Sequence, residues 1–182
     1  PRMLDSNIVK TSSHANVLYD WLKEDGSDGE WDLIYRSSRD GKLHVDFHRH
    51  CDKKGPTLLL IETTEGGVLG GYTNTSWWTY CECVLRGNAQ SKAKADKAFL
   101  FALAGFNLAF PHKMRLKNPD DGTAVQLQRD IIGISSLYGF GTGPDLVVDG
   151  NGTFVTVKTG SSYELGPREL TEGRRQYAIK EI

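Results

Sequence analysis

The chain has 182 residues, 38% of them hydrophobic and 25% charged, with a formal net charge of -1. This length suits one domain with a sizeable core, and the composition excludes a disordered chain. A charge so close to zero gives no overall electrostatic case for nucleic acid or for an anionic membrane.

No apolar run approaches the roughly 20 residues that span a bilayer, and no signal-peptide apolar region opens the chain, so direct membrane insertion is not expected. Cys51, Cys81 and Cys83 are few and odd in number, and the last two stand one residue apart. Such usage fits a reducing compartment. The chain starts at Pro1 and stops inside an apparent strand at Ile182. It therefore reads as a single domain, 1–182, excised from a longer protein and truncated in its last strand.

In chain order, the first element is a helix over residues 14–24. Thr11, Ser12 and Ser13 offer capping oxygens, and Val17, Leu18, Trp21 and Leu22 share one apolar face. The polar turn 25–29 (D-G-S-D-G) ends it. Residues 31–36 alternate enough to predict a strand. Asp40-Gly41 then turns the chain into a second helix over 43–50, whose stripe is Leu43, Phe47 and Cys51 at i, i+4 and i+8.

Gly55-Pro56 opens a strand over 57–63, with enough successive apolar residues to be covered on both faces. Glu65-Gly66-Gly67 predicts a tight hairpin and 68–73 the returning strand. Gly70 and Gly71 inside that strand signal a bulky ring close to the backbone, with Trp77 or Tyr72 as candidates.

Residues 80–97 read as a polar excursion. Arg86, Lys92, Lys94 and Lys97 cluster there, diluted by Glu82 and Asp96, which suits a solvated loop. Strands are predicted over 98–103, 113–116 and 123–128, the last two separated by the turn Asn118-Pro119-Asp120-Asp121-Gly122. A glycine-rich loop, 139–144, precedes a strand over 145–148. Asp149-Gly150-Asn151-Gly152 forms a hairpin to 153–158, and the last strand is 176–182. About eight or nine strands and two helices result. Strands mostly follow strands, so the sheets are antiparallel and the class is β-rich α+β, sandwich-like.

Several of these segments together resemble the TLDc domain family. The residues carrying the resemblance are Trp31 with Leu33-Ile34-Tyr35, Arg39-Asp40-Gly41, Phe47-His48 and Cys51. It continues through Gly55-Pro56-Thr57, Gly66, Gly70-Gly71-Tyr72-Thr73 and Trp77, then Ala98-Phe99-Leu100-Phe101. Gly139-Phe140-Gly141, Asp145-Leu146-Val147-Val148 and the closing Tyr177-Ala178-Ile179-Lys180-Glu181-Ile182 complete it. The resemblance implies an antiparallel two-sheet β-sandwich with two or more flanking helices, and a cytoplasmic, non-enzymatic protein-interaction domain associated with oxidation resistance under oxidative stress. It further implies regulation of the vacuolar proton-pumping ATPase (V-ATPase) through its subunits. No active site and no cofactor come with the family.

The candidate chemistry is sparse. His44 and His48, at i and i+4, could share a metal, but no further ligand stands at a suitable spacing, so no metal site is expected. Cys51 is the redox candidate, favoured by Arg49, Lys53 and Lys54 if exposed and disfavoured by its place on the apolar stripe. The alternative to an interaction domain is therefore a thiol- or metal-dependent redox enzyme. Cys81 and Cys83 suit surface thiols. Gly139, Phe140, Gly141, Thr142 and Gly143 lack the Lys-Ser/Thr of a phosphate loop and read as a rim turn that contacts a partner protein. Asp149-Gly150-Asn151-Gly152 is no calcium loop, because Phe154 takes the glycine position.

Overall fold

The computed structural model describes residues 6–77, 92–93, 95–120, 125–127, 138–141, 145–167 and 176–182. Three helices are found among them: α1 (Ser12–Glu24), α2 (Ser37–Asp40) and α3 (His44–Cys51). The strands are β1 (Thr57–Thr63), β2 (Val68–Thr73), β3 (Lys92–Ala93), β4 (Ala98–Ala104) and β5 (His112–Arg115). They continue with β6 (Val125–Leu127), β7 (Tyr138–Phe140), β8 (Leu146–Val148), β9 (Phe154–Val157) and β10 (Gln176–Glu181).

The β-rich α+β class and the antiparallel pairing are as the sequence predicts. All ten strands hydrogen-bond in one continuous order, β3-β6-β7-β8-β9-β10-β1-β2-β4-β5. Strand β10 is the joint. Its residues 176–178 pair with β9, while Ile179 and Glu181 pair with β1.

Turn chemistry fixes the β1–β2 hairpin. Thr63 accepts the Gly67 N–H on its hydroxyl at 2.9 Å, and the Thr63 N–H donates to the Gly67 carbonyl at 2.8 Å. Both faces of β1 are covered, as its apolar run requires. Leu59 and Ile61 join a core that also holds Phe140, Leu146, Val148, Val155 and Val157. Leu58 and Leu60 face the opposite side, where α1 packs.

Thr11 caps α1 by accepting the His14 N–H on its hydroxyl. The helix buries Leu18 and Leu22 completely, each worth about 1.5–3 kcal/mol of apolar transfer. Its Trp21 ring lies 6.4 Å from Phe99 and 6.3 Å from Phe101 on β4.

Four expectations need correction. Residues 31–36 run outside the strand ladder. The Arg36 N–H donates to Asp40 (2.8 Å), the Tyr35 hydroxyl to the Gly41 carbonyl (2.7 Å) and the Ser37 N–H to the Ile182 carbonyl (2.9 Å). The apolar alternation there comes from an extended segment lying across the core. Within the excursion, Lys92–Ala93 forms β3 against β6. The rings over the strand glycines are Phe101 at Gly70 and Phe140 at Gly71. Finally, Gly139 and Phe140 lie inside β7 instead of in a loop.

Candidate functional site

A cleft forms where six separate pieces of chain meet: the segment around Ile8, residues 32–36, helix α3, strand β1, Trp77 and the closing Glu181-Ile182. Its inner part has a cavity volume of about 100 Å³. Helix α3 turns Phe47 and Cys51 into it, for the same reason that those residues share an apolar stripe. The helix starts where it does because Gly41 adopts φ +104°. A Cβ at that position would collide with the carboxylate of Asp46, which accepts the Leu43 N–H at 3.2 Å.

Several of the polar atoms lining the cleft are already engaged. The Trp77 indole N–H donates to the Thr57 hydroxyl at 2.7 Å. The Glu181 carboxylate accepts from the Ser37 hydroxyl, from the Ser38 N–H at 2.9 Å and from the Ile182 N–H at 3.2 Å. Burial alone would raise the Glu181 pKa; these donors outweigh it and hold the carboxyl below its ordinary value. The Tyr35 hydroxyl is pushed up, chiefly by burial and then by the nearby Cys51 and Asp46.

A second, open space of about 430 Å³ adjoins the cleft and shares Asn7, Asp32, Leu33 and Arg36 with its lining. Arg39 completes this outer shelf. Its Nε and Nη2 donate to the two carboxylate oxygens of Asp40, each at 2.7 Å. The pair holds the Asp40 carboxyl down at about 2.

The sequence candidates fall in different places. Cys51 is 4% exposed on the cleft wall. Burial first, then the charges of Asp52 and Asp40, push its thiol up to about 12. His48 is buried, with Nδ1 2.7 Å from Asp52, and its ring centre stands 6.5 Å from that of His44. Among the described residues, no group of three or more His, Cys, Asp or Glu is arranged to hold a metal. Cys81, Cys83, Thr142 and Gly143 lie outside the described residues.

At the rim, Phe140 is fully buried, and a Cβ at Gly139 would strike the Leu146 carbonyl. Gly141 (φ +81°) packs against Asp145, whose carboxylate accepts the Ser161 and Ser162 N–H groups at 3.0 Å each. Burial nonetheless leaves that carboxyl above its ordinary value. Sequence reasoning found Phe47, Cys51 and Trp77 as structural residues but missed the cleft they line. Its other walls are far apart in the chain, and no local pattern announces them.

The TLDc domain model matches residues 3–182. TBC1 domain family member 24 of Xenopus tropicalis is 31% identical over 98 residues, 54% of this chain and 17% of that protein. The Xenopus laevis protein of the same name is 30% identical over 98 residues, again 54% of this chain and 17% of that protein. The MTOR-associated protein MEAK7 of Danio rerio is 29% identical over 56 residues, 31% of this chain and 12% of that protein. The chain thus spans less than a fifth of the length of these curated relatives.

Proposed function

This chain belongs to the TLDc domain family, and on that premise we propose that it is a non-enzymatic protein-interaction domain that confers oxidation resistance by binding subunits of the vacuolar proton pump in the cytoplasm. The observation carrying this reading is the family match across residues 3–182. One relative is itself named for association with another protein. Facing strand runs, packed as a sandwich around the core shared by Ile61 and Phe140, would hold a rigid rim. In this reading the partner contacts the chain at the turn 139–143 through Thr142 and Gly143, while the buried Gly139, Phe140 and Gly141 hold that turn from inside without touching the partner.

The competing reading, a thiol- or metal-dependent redox enzyme, needs Cys51 as a thiolate or a completed His44/His48 site. A thiol pushed up to about 12 is almost wholly protonated at neutral pH, which favours the interaction reading.

The test uses the immobilised chain to capture purified pump subunits, alongside peroxide survival of cells carrying variants. Capture by the wild type that is lost in Thr142→Glu, with survival unchanged by Cys51→Ser, supports the proposal. No capture by the wild type, or survival lost with Cys51→Ser, overturns it.

A further inference from the structure

We propose that the open edge of β1 beside the cleft takes up an extended strand of a partner protein, antiparallel to β1. This rests on the interaction reading above, but neither on the proton pump as partner nor on the turn 139–143.

The main chain of β1 has one edge only half paired. Along an antiparallel strand, the N–H and C=O groups of successive residues point alternately to its two sides. The Thr63 N–H donates to the Gly67 carbonyl before β2, whereas the Thr64 N–H donates to the Ala178 carbonyl of β10. The β1–β2 ladder keeps its register from Thr57 to Glu62. Leu58 and Leu60 therefore turn their main-chain groups to the β10 side, away from β2. Strand β10 pairs with β1 only at Glu62 and Thr63. Among the described residues, nothing pairs with Leu58 or Leu60 on that side.

Unpaired main-chain groups along a strand are a template for one more strand. This edge is recessed, because residues 32–36 and α3 wall the same cleft that residues 57–60 line. Such walls favour a single extended segment over the edge of a second folded sheet. Four residues of β1 offer it a run of about 10 Å. Strand β10 is antiparallel to β1, and a strand lying in line with it keeps that direction. Side chains select second. The residue opposite Leu59 shares its face of the sheet, where Phe47, Cys51 and Trp77 line the cleft, so it is apolar. Elsewhere Ser6, Asn7, Asp32 and Arg36 mix with Ile8 and Ile34 in the lining, which sets no preference for charge.

The probes are end-capped peptides Thr-Thr-X-Thr-Thr, with valine, leucine or phenylalanine as X, titrated into the whole isotope-labelled chain and followed by amide NMR. Saturable binding is expected. At about ten times Kd the Leu58 and Leu60 amides should exchange roughly tenfold more slowly. N-methylating both peptide amides that flank X removes the donors facing β1 and should weaken binding more than about tenfold. Methylating the amide of X, which points away from β1, should weaken it less. Absent binding, equal loss from the two methylations, or unchanged exchange at Leu58 and Leu60 overturns the proposal. So does protection of those two amides before peptide is added, whether by a second copy or by residues following Ile182 in a longer form of the chain. Peptide uptake without pump capture sinks only the pump reading, and capture without uptake sinks only this one.

Discussion

Phe140 occupies the space that Gly71 leaves empty. A Cβ built on Gly71 would come within 2.7 Å of two ring carbons of Phe140 and 2.9 Å of a Leu100 methyl. Strand β2 lies on one side of the β10 joint and β7 on the other, so this contact sets how closely the strand runs approach. Gly71→Ala should therefore destabilise the fold by about 1–3 kcal/mol through overpacking. Phe140→Leu made together with it should recover part of the loss, giving a coupling of about 0.5–3 kcal/mol in a urea-denaturation double-mutant cycle. Additive losses would show that the two positions do not set the spacing.

The same pair marks the limit of what the sequence discloses. Two adjacent glycines in a strand announce a ring overhead, yet Trp77 and Tyr72 are near in sequence whereas Phe101 and Phe140 are near in space. Strands β1 and β2 are legible because Gly55-Pro56 and Glu65-Gly66-Gly67 are local turn signals, and local signals need no tertiary information. Residues 31–36 are misread for the complementary reason. Alternation reports two environments on either side of an extended chain, whether or not a ladder partner is present. The cleft is invisible at that level, since Ile8, Ile34, Phe47, Leu59 and Ile182 are far apart in the chain and converge through tertiary contacts, among them the Ser37–Ile182 hydrogen bonds.

Lys113 pins the end of α1 to strand β5. Its ammonium donates to the Trp21 carbonyl at 3.2 Å, Glu24 at 3.0 Å and Asp25 at 2.8 Å, and sits 4.4 Å from the centre of the Phe99 ring. The side chain is only 7% exposed. A cation at a helix C-terminus also favours the helix dipole. Lys113→Met should cost about 1–3 kcal/mol, because the Trp21 carbonyl and Asp25 lose a charged donor. Hydrogen exchange should localise the change, with the last turn of α1 exchanging faster while β7 and β8 keep their protection. Uniform acceleration across the fold would argue against a local pin.

Cys51 links the cleft to alkaline stability. Its thiol is raised from 9 to about 12, chiefly by burial. Below the unfolded value both states hold the proton, and the contribution is fully present. Between the two values the unfolded chain releases a proton that the folded chain keeps, so stability falls as pH rises, by at most about 1.4 kcal/mol per unit. Cys51→Ala should flatten the stability profile in that window. In a Cys81→Ser, Cys83→Ser background, iodoacetamide should label Cys51 at pH 7.5 only as fast as the chain opens. Immediate labelling of the native protein would place a reactive thiolate in the cleft.

Tyr138 carries an internal cost that a single atom can reveal. Its ring stacks on Phe47 at 3.9 Å with planes 5° apart, and it is 1% exposed. Among the described residues its hydroxyl finds no hydrogen-bond partner, and burial raises its pKa well above the usual tyrosine value. A buried polar group left unpaired costs about 1–3 kcal/mol. Phenylalanine keeps the ring, the stacking and the contact with α3 while deleting the group that loses its hydration. Tyr138→Phe should therefore leave stability unchanged or raise it by up to about 1 kcal/mol, read as a higher urea midpoint at constant slope. A loss of stability would mean that an ordered water satisfies the hydroxyl, and the site would then be a hydrated pocket behind α3 instead of a strained one.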